Sequence, residues 1–464
     1  MSGRPRFDHW PHAAVPLRDA MTDSPGESVM SRRDILRLMA LGGLGTALIG
    51  PRLFAQPATP LATRARSVIQ IWMWGGPSHL DTFDPKPEAG PDYCGPLVKP
   101  IPTNVDDIHI GELLPLLAQQ ADKYSIIRGM THGNNGHETA AYMAQTGWMP
   151  GGALVHPGLG AVVSLKKGYD AGYRGLIPPY VVLTRLQGRF AEAGFLGQRY
   201  SPFATGGNPA AKRFAVEGIV SKDLTPERQQ SRRALLSRLD TFRTAMTGVQ
   251  DVAIMAKAEA EAWDLILGSA GKVFDLEQEK PELRDRYGNN PFGQSCLAAR
   301  RLVESGVPYV TINYEGWDSH KQHFNVMKSK LPQFDKGLAT LLEDLDDRGL
   351  LSNTLVWCQG EFGRTPKVDW DAPWNGGRSH FGKVFSAVVA GGGFEGGQVV
   401  GASNKTGEDV KERPVYPWDL LASIYTLLGI DPNGRIPHPQ GYEVPILPPA
   451  EEKLTRGGLL KEIM

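Results

Sequence analysis

Six histidines in this chain fall in polar loops, five of them near carboxylates shortly after a run of β-forming residues and the sixth in a loop further on. "GGPSHLDTFD" offers His79, Asp81 and Asp84. "THGNNGHETAAYMAQTG" offers His132, His137 and Glu138, and "EGWDSHKQH" offers Glu315, Asp318, His320 and His323. "QGEFGRTP" adds Glu361 and Arg364, and "GGRSHF" adds Arg378 and His380. Imidazole with carboxylate is a donor set for zinc, manganese or iron. A catalytic site of that kind needs three or four protein ligands and an open position. The expected ligands are His79, Asp81, His132, His137, Asp318, His320, His323, Glu361 and His380. His137 and Glu361 are also candidates for proton transfer, and Arg364 for holding an anionic group. A histidine in the "GNNG" loop has blander readings, as a solvated or locally hydrogen-bonded residue. What raises the set above them is concentration. Of 11 histidines, only His9, His12, His109, His156 and His438 lie elsewhere.

The elements that would carry these loops alternate. "SVIQIWMW", "SIIRGM", "YVVLT", "VPYVTINY", "NTLVWCQG" and "KVFSAVVAGGG" read as buried strands. "ELLPLLAQQADKY", the stretch from about Glu138 to Gln145, "GQSCLAARRLVESG", "LPQFDKGLATLLEDLDDRG" and "PWDLLASIYTLLGI" read as helices. Strands alternating with helices predict an α/β fold: a doubly wound, mostly parallel sheet with helices on both faces. In such sheets ligands bind at the carboxyl ends of strands, where the polar loops fall. A charged helical block at about 210–285 reads as an insertion. Trp317 and Phe362 are expected to wall the site, Asp84 to cap the turn at Pro85, and "LLEDLDDRG" to be a solvated helix face.

Composition bounds the rest. The chain has 464 residues, with Lys+Arg 50 against Asp+Glu 50. That balance gives no electrostatic reason to expect nucleic acid as a partner. Three cysteines, Cys94, Cys296 and Cys358, are too few and too scattered for a disulfide framework. "SRRDILRLMALGGLGTALIG", followed by "PRLFAQPA", resembles a twin-arginine export signal over about residues 1–56. It predicts use of the twin-arginine machinery and an address in the periplasm or at the cell surface. The apolar run is too short and too glycine-rich to leave a stable membrane span. Residues 57–464 would then form the functional domain.

"GGPSHLDTFDPKP", "EAGFLGQRYSPF", "CLAARRLVESGV", "GWDSH", "GEFGRTP", "GRSHF" and "AGGGFEGG" together resemble the "domain of unknown function 1501" family of exported bacterial proteins. That family is similar to the alkaline phosphatase and sulfatase superfamily. The resemblance implies an alkaline phosphatase-like fold, a divalent metal at the strand ends, and a small anionic ester or a sulfated or phosphorylated glycan as substrate. Zinc is expected first, with manganese, calcium or iron as alternatives. Counting back from Thr146-Gly147, the superfamily's nucleophile position falls at or near His137, with Thr139 the nearest hydroxyl. Glu361-Phe362-Gly363 stands where the superfamily has Asp-His-Gly or Asp-Asn-Gly, and Gly75-Gly76 where it has an acidic ligand. Two readings follow: a metal-dependent hydrolase of phosphate or sulfate esters, or a non-catalytic relative that binds a metal, glycan or partner at the cell surface.

Overall fold

The computed structural model describes residues 63–186, 192–212, 214–216 and 270–464, with a few scattered positions between 228 and 235. All lie in one compact unit, Pro60–Met464. The expected export signal and most of the expected helical insertion fall outside the described residues.

The central sheet has eight strands. In chain order they are β1 (Ser67–Trp72), β2 (Tyr124–Met130), β3 (Tyr180–Leu183), β4 (Phe203–Ala204), β5 (Tyr309–Asn313), β6 (Thr354–Gln359), β7 (Phe385–Ala390) and β8 (Val399–Val400). Their spatial order is β8-β2-β7-β6-β1-β5-β3-β4. Every pairing is parallel except those of β7, which runs antiparallel to both β2 and β6. The fold is therefore the expected α/β type with a mostly parallel sheet. Parallel strands covered on both faces are buried along their whole length, and all six residues of β1 are.

Side-chain alternation sends the two faces of β1 into two cores. Ile69 and Ile71 join one core with Leu297 and Leu302 of α3 (Pro291–Glu304) and Leu338 and Leu341 of α4 (His323–Asp347). Val68 joins the other with Val162 of α2 (Leu159–Lys167) and Leu421 and Ile424 of α5 (Pro417–Leu427). The helix α1 (His137–Thr146) packs against α5. Helices thus cover both faces.

Several local expectations are corrected. "ELLPLLAQQADKY" forms only a four-residue helix, Pro115–Ala118, and a 3₁₀ turn, Ala121–Lys123. The helix expected from Leu331 instead begins at His323 and carries Pro332 in its interior. Asp344, on the supposedly solvated face, is buried and paired with Arg300 at 3.0 Å and Arg348 at 2.7 Å. Asp84 is buried too, paired with Lys86 and Arg128 and accepting from Ser403. Trp317 belongs to the core rather than to a site wall. All three cysteines are free and buried. No helix among the described residues is long and apolar enough to cross a membrane.

Candidate metal centre

The turn after β1 is the hub of the polar loops. Gly75 and Gly76 take φ of 110° and 78°, the left-handed region open to glycine. A Cβ on Gly75 would lie 2.2 Å from the backbone nitrogen of Asp318, and one on Gly76 would lie 2.5 Å from the carbonyl oxygen of Phe362. Only glycines let the loops after β5 and β6 close on this turn. The Gly75 N–H donates to both Glu361 oxygens, at 3.0 and 3.2 Å. The Gly75 and Gly76 carbonyls accept from the Arg364 guanidinium.

Four chain segments then converge. His137 is the first residue of α1, its ring stacked on Trp74 and tilted against Phe362. Asp318 and His320 follow β5. Glu361 and Arg364 follow β6. His380 is held by the loop before α1, where its Nδ1–H donates to the Asn135 carbonyl at 2.8 Å. His137, Asp318 and His380 each present one ligand atom, and the three atoms lie within 4.8 Å of one another. His137 Nε2 is 3.3 Å from Asp318 Oδ2, and His380 Nε2 is 3.1 Å from Asp318 Oδ1. Two ligands about 2.1 Å from a tetrahedral zinc stand about 3.4 Å apart, so these spacings are of the right size. His320 joins through its Nε2, 2.9 Å from His380 Nε2 and 3.1 Å from Asp318 Oδ1.

Hydrogen bonding aims the nitrogens. His137 Nδ1–H donates to Glu361 Oε1 at 2.5 Å, and Glu361 is fully buried. With Nδ1 protonated on both His137 and His380, each Nε2 turns a lone pair toward the Asp318 carboxylate. Acceptors facing each other need a positive charge between them, a proton or a cation. The Glu361 hydrogen bond accordingly raises the pKa of His137 against the opposing effect of burial, with Asp318 contributing. Asp318 is pushed up by burial, but the hydrogen bond and charge of Arg364, aided by His380 and His137, bring it down to about 2. Burial lowers His320, which favours its neutral form. The donor set, its spacing and its preset tautomers fit a divalent cation.

Other expected site residues are placed elsewhere. His132 accepts from the Asn134 N–H at Nδ1 and donates from Nε2 to the Glu361 carbonyl at 2.7 Å. Both its nitrogens are taken, and burial lowers its pKa to about 4. His79 is buried with Nε2 on the Gly407 carbonyl at 2.9 Å, and burial lowers it likewise to about 4. His323 lies in the first turn of α4, not in a loop. It bonds Asp81 at 2.8 Å and Ser319 Oγ at 2.6 Å. Arg378 closes the group at 3.0 Å from Asp81, and all four residues are buried. This ion-paired group braces Ser319, the residue between Asp318 and His320. Glu361 stands behind His137, not beside the other ligands. Arg364 bonds the Gly75, Gly76 and Arg378 carbonyls and Asp318, at 2.5 Å in the last case, so its donors serve the frame and not a substrate. Phe362 does line the centre, 4.6 Å from the His380 ring between centroids. The sequence reading missed the work of Gly75, Gly76 and the Asn135 carbonyl. Paired glycines directly after a strand were the available signal for the first two.

No curated protein matches the sequence. Among solved structures the chain is similar to the lipoteichoic acid synthase LtaP from Listeria monocytogenes, with 9% identity over 81% of this chain and 75% of that one and a TM-score of 0.36. It is similar to a protein in the alkaline phosphatase superfamily from Vibrio parahaemolyticus, with 10% identity over 87% and 76% and a TM-score of 0.38. It is also similar to alkaline phosphatase from the Antarctic bacterium TAB5, with 12% identity over 73% and 95% and a TM-score of 0.30. The family model described as "Protein of unknown function (DUF1501)" matches residues 65–454, most of the chain, and the chain belongs to that family.

Proposed function

We propose that the protein is an exported, metal-dependent hydrolase of phosphate or sulfate esters. The observation that carries this reading is the convergence of His137, Asp318 and His380 within 4.8 Å, with both imidazoles backed at Nδ1. A divalent cation held there, zinc before manganese, calcium or iron, supplies Lewis acidity toward the ester oxygen and lowers the pKa of water. The residues of the chain do the rest. His137, Asp318 and His380 hold the cation, and Glu361 fixes His137 in the ligating tautomer. His320 sits beside the centre, its Nε2 within hydrogen-bond reach of both His380 and Asp318, and helps hold them in place. Phe362 and Trp74 exclude solvent from one side of His137. Arg364 keeps Asp318 and the Gly75–Gly76 turn in place. The twin-arginine motif supports a periplasmic or cell-surface address. The substrate class is a small anionic ester or a sulfated or phosphorylated glycan.

The test is turnover of p-nitrophenyl phosphate, its phosphodiester and p-nitrophenyl sulfate by zinc-loaded protein. Hydrolysis of at least one should vanish with chelator. In His380→Ala it should fall by more than about a hundredfold, as loss of a direct ligand exceeds the effect of losing an outer hydrogen bond. Turnover that survives chelation would contradict the reading.

One observation favours a second reading, a non-catalytic relative that binds a metal or glycan. Among the described residues no hydroxyl or thiol joins the cluster. Thr139 Oγ, the nearest to the expected nucleophile position, donates within its own loop to Asn134 and Gly136. Metal bound with no turnover on any ester selects this alternative.

A further inference from the structure

Beside the metal centre the loop 369–377 carries two exposed tryptophans on a rigid base. Trp370 is 48% exposed and Trp374 37%. Trp370 stacks on Phe324, with centroids 5.8 Å apart and planes 19° apart, and Phe324 in turn lies over the buried Arg378 guanidinium at 5.4 Å. The loop is tied across its neck by Asp369 and Gly377, each donating to the other's carbonyl at 3.0 Å. It is tied to the start of α4 by the Gln322 and His323 N–H groups, which donate to the Trp374 and Gly376 carbonyls at 3.0 Å. Trp370 forms part of the wall of a cavity of about 450 Å³ with Phe324, Gln322, Asn325, Lys328 and Asn375. Trp374, next in the chain to Asn375, has its ring 6.2 Å from His320 of the centre, with the Lys321 ammonium 5.9 Å above it.

Backbone strain marks the same place. Among the described residues only five other than glycine have positive φ, and two of them, Gln322 at 49° and Asn375 at 47°, line this cavity. Such conformations persist where the surroundings impose them, and they gather at ligand sites. The lining combines the exposed Trp370 ring and two prolines, Pro91 and Pro96, with amide side chains and an ammonium, and includes no carboxylate. A hydrocarbon ligand would strip water from the amides without replacing it. A small inorganic anion would leave the Trp370 ring idle. A sugar ring uses both, with its C–H face on the indole and its hydroxyls on the amides.

We infer that this cavity is a subsite for an anionic oligosaccharide, one sugar ring lying on Trp370 while an anionic group on the chain reaches past Trp374 to the centre. The inference rests on the ester-hydrolase reading for the fate of that group, but binding itself does not require it.

Calorimetric titration of metal-loaded protein with dextran sulfate, and with polyvinyl sulfate of matched charge, tests it. The expected result is tighter binding of dextran sulfate than of polyvinyl sulfate. Trp370→Ala should weaken dextran sulfate binding about three- to tenfold, the worth of one aromatic stacking contact, and abolish the preference. Trp370→Phe should keep most of the affinity, which separates a lost ring from a damaged fold. Equal binding of the two polymers, no binding of dextran sulfate, or a Trp370→Ala variant that binds as tightly as wild type would each overturn the inference. If all three esters go unhydrolysed while the Trp370-dependent preference stands, the hydrolase reading alone fails.

Discussion

At the scale of single residues, the centre depends on which nitrogen of each histidine is spoken for. Glu361 takes the Nδ1–H of His137, and the Asn135 carbonyl takes that of His380, so both Nε2 atoms are left for a cation. Such outer hydrogen bonds typically matter tenfold to a hundredfold in metal affinity. Glu361→Gln keeps an acceptor but removes the charge, and should weaken zinc binding by about tenfold with the fold intact, as measured by competition with a chromophoric chelator. Unchanged affinity would show that Glu361 does not tune His137. His132 illustrates the limit of reading residues alone. It is the same residue type in the same loop, yet both its nitrogens are engaged with backbone groups, and nothing in "THGNNGH" distinguishes it from His137.

Elements decide which polar residues meet. A helix beginning near Leu331 would place Pro332 in its first turn, whereas proline inside a helix removes a hydrogen bond and costs about 3 kcal/mol. Tertiary packing overrides that preference here, and α4 runs through Pro332 back to His323. The extra turns carry His323 away from the loop and into the buried group with Asp81, Arg378 and Ser319. His323→Ala leaves Asp81 its Arg378 ion pair but removes a buried hydrogen bond to the charged carboxylate, worth about 1.5–3 kcal/mol. Urea denaturation should show a loss of that order, together with weaker metal binding as the Asp318–His320 loop loosens. A variant as stable as wild type would mean the group does not brace the loop. By contrast the strands were legible, because β-branched runs such as "SVIQIW" and "YVTIN" have few alternatives to a buried sheet. The antiparallel sense of β7 was not, because strand direction is set by connections and not by composition.

Across the whole molecule, carboxyl-end loops on a mostly parallel sheet were enough to locate the site's neighbourhood from the sequence. Choosing its members required the Gly75–Gly76 turn, where the loops after β5 and β6 close on backbone too crowded for a side chain. The charge the fold buries also sets its acid tolerance. His79 is buried neutral with its pKa lowered from 6.5 to about 4. The unfolded chain therefore takes up this proton first as pH falls, so the contribution to stability is whole above pH 6.5 and is lost between there and about 4. At 1.36 kcal/mol per pH unit this amounts to about 3 kcal/mol. Thermal melts of His79→Gln should lose part of the wild-type decline over that window, and an identical decline would assign the acid sensitivity to other groups.

The central claim is that His137, Asp318 and His380 hold a metal ion. Anomalous scattering from zinc-loaded crystals, recorded on both sides of the zinc absorption edge, tests it most directly. The account predicts one strong peak within about 2.1 Å of both His137 Nε2 and His380 Nε2 and bonded to an Asp318 oxygen. A map with no peak among these three residues, or with zinc on His79 or His132 instead, would contradict it.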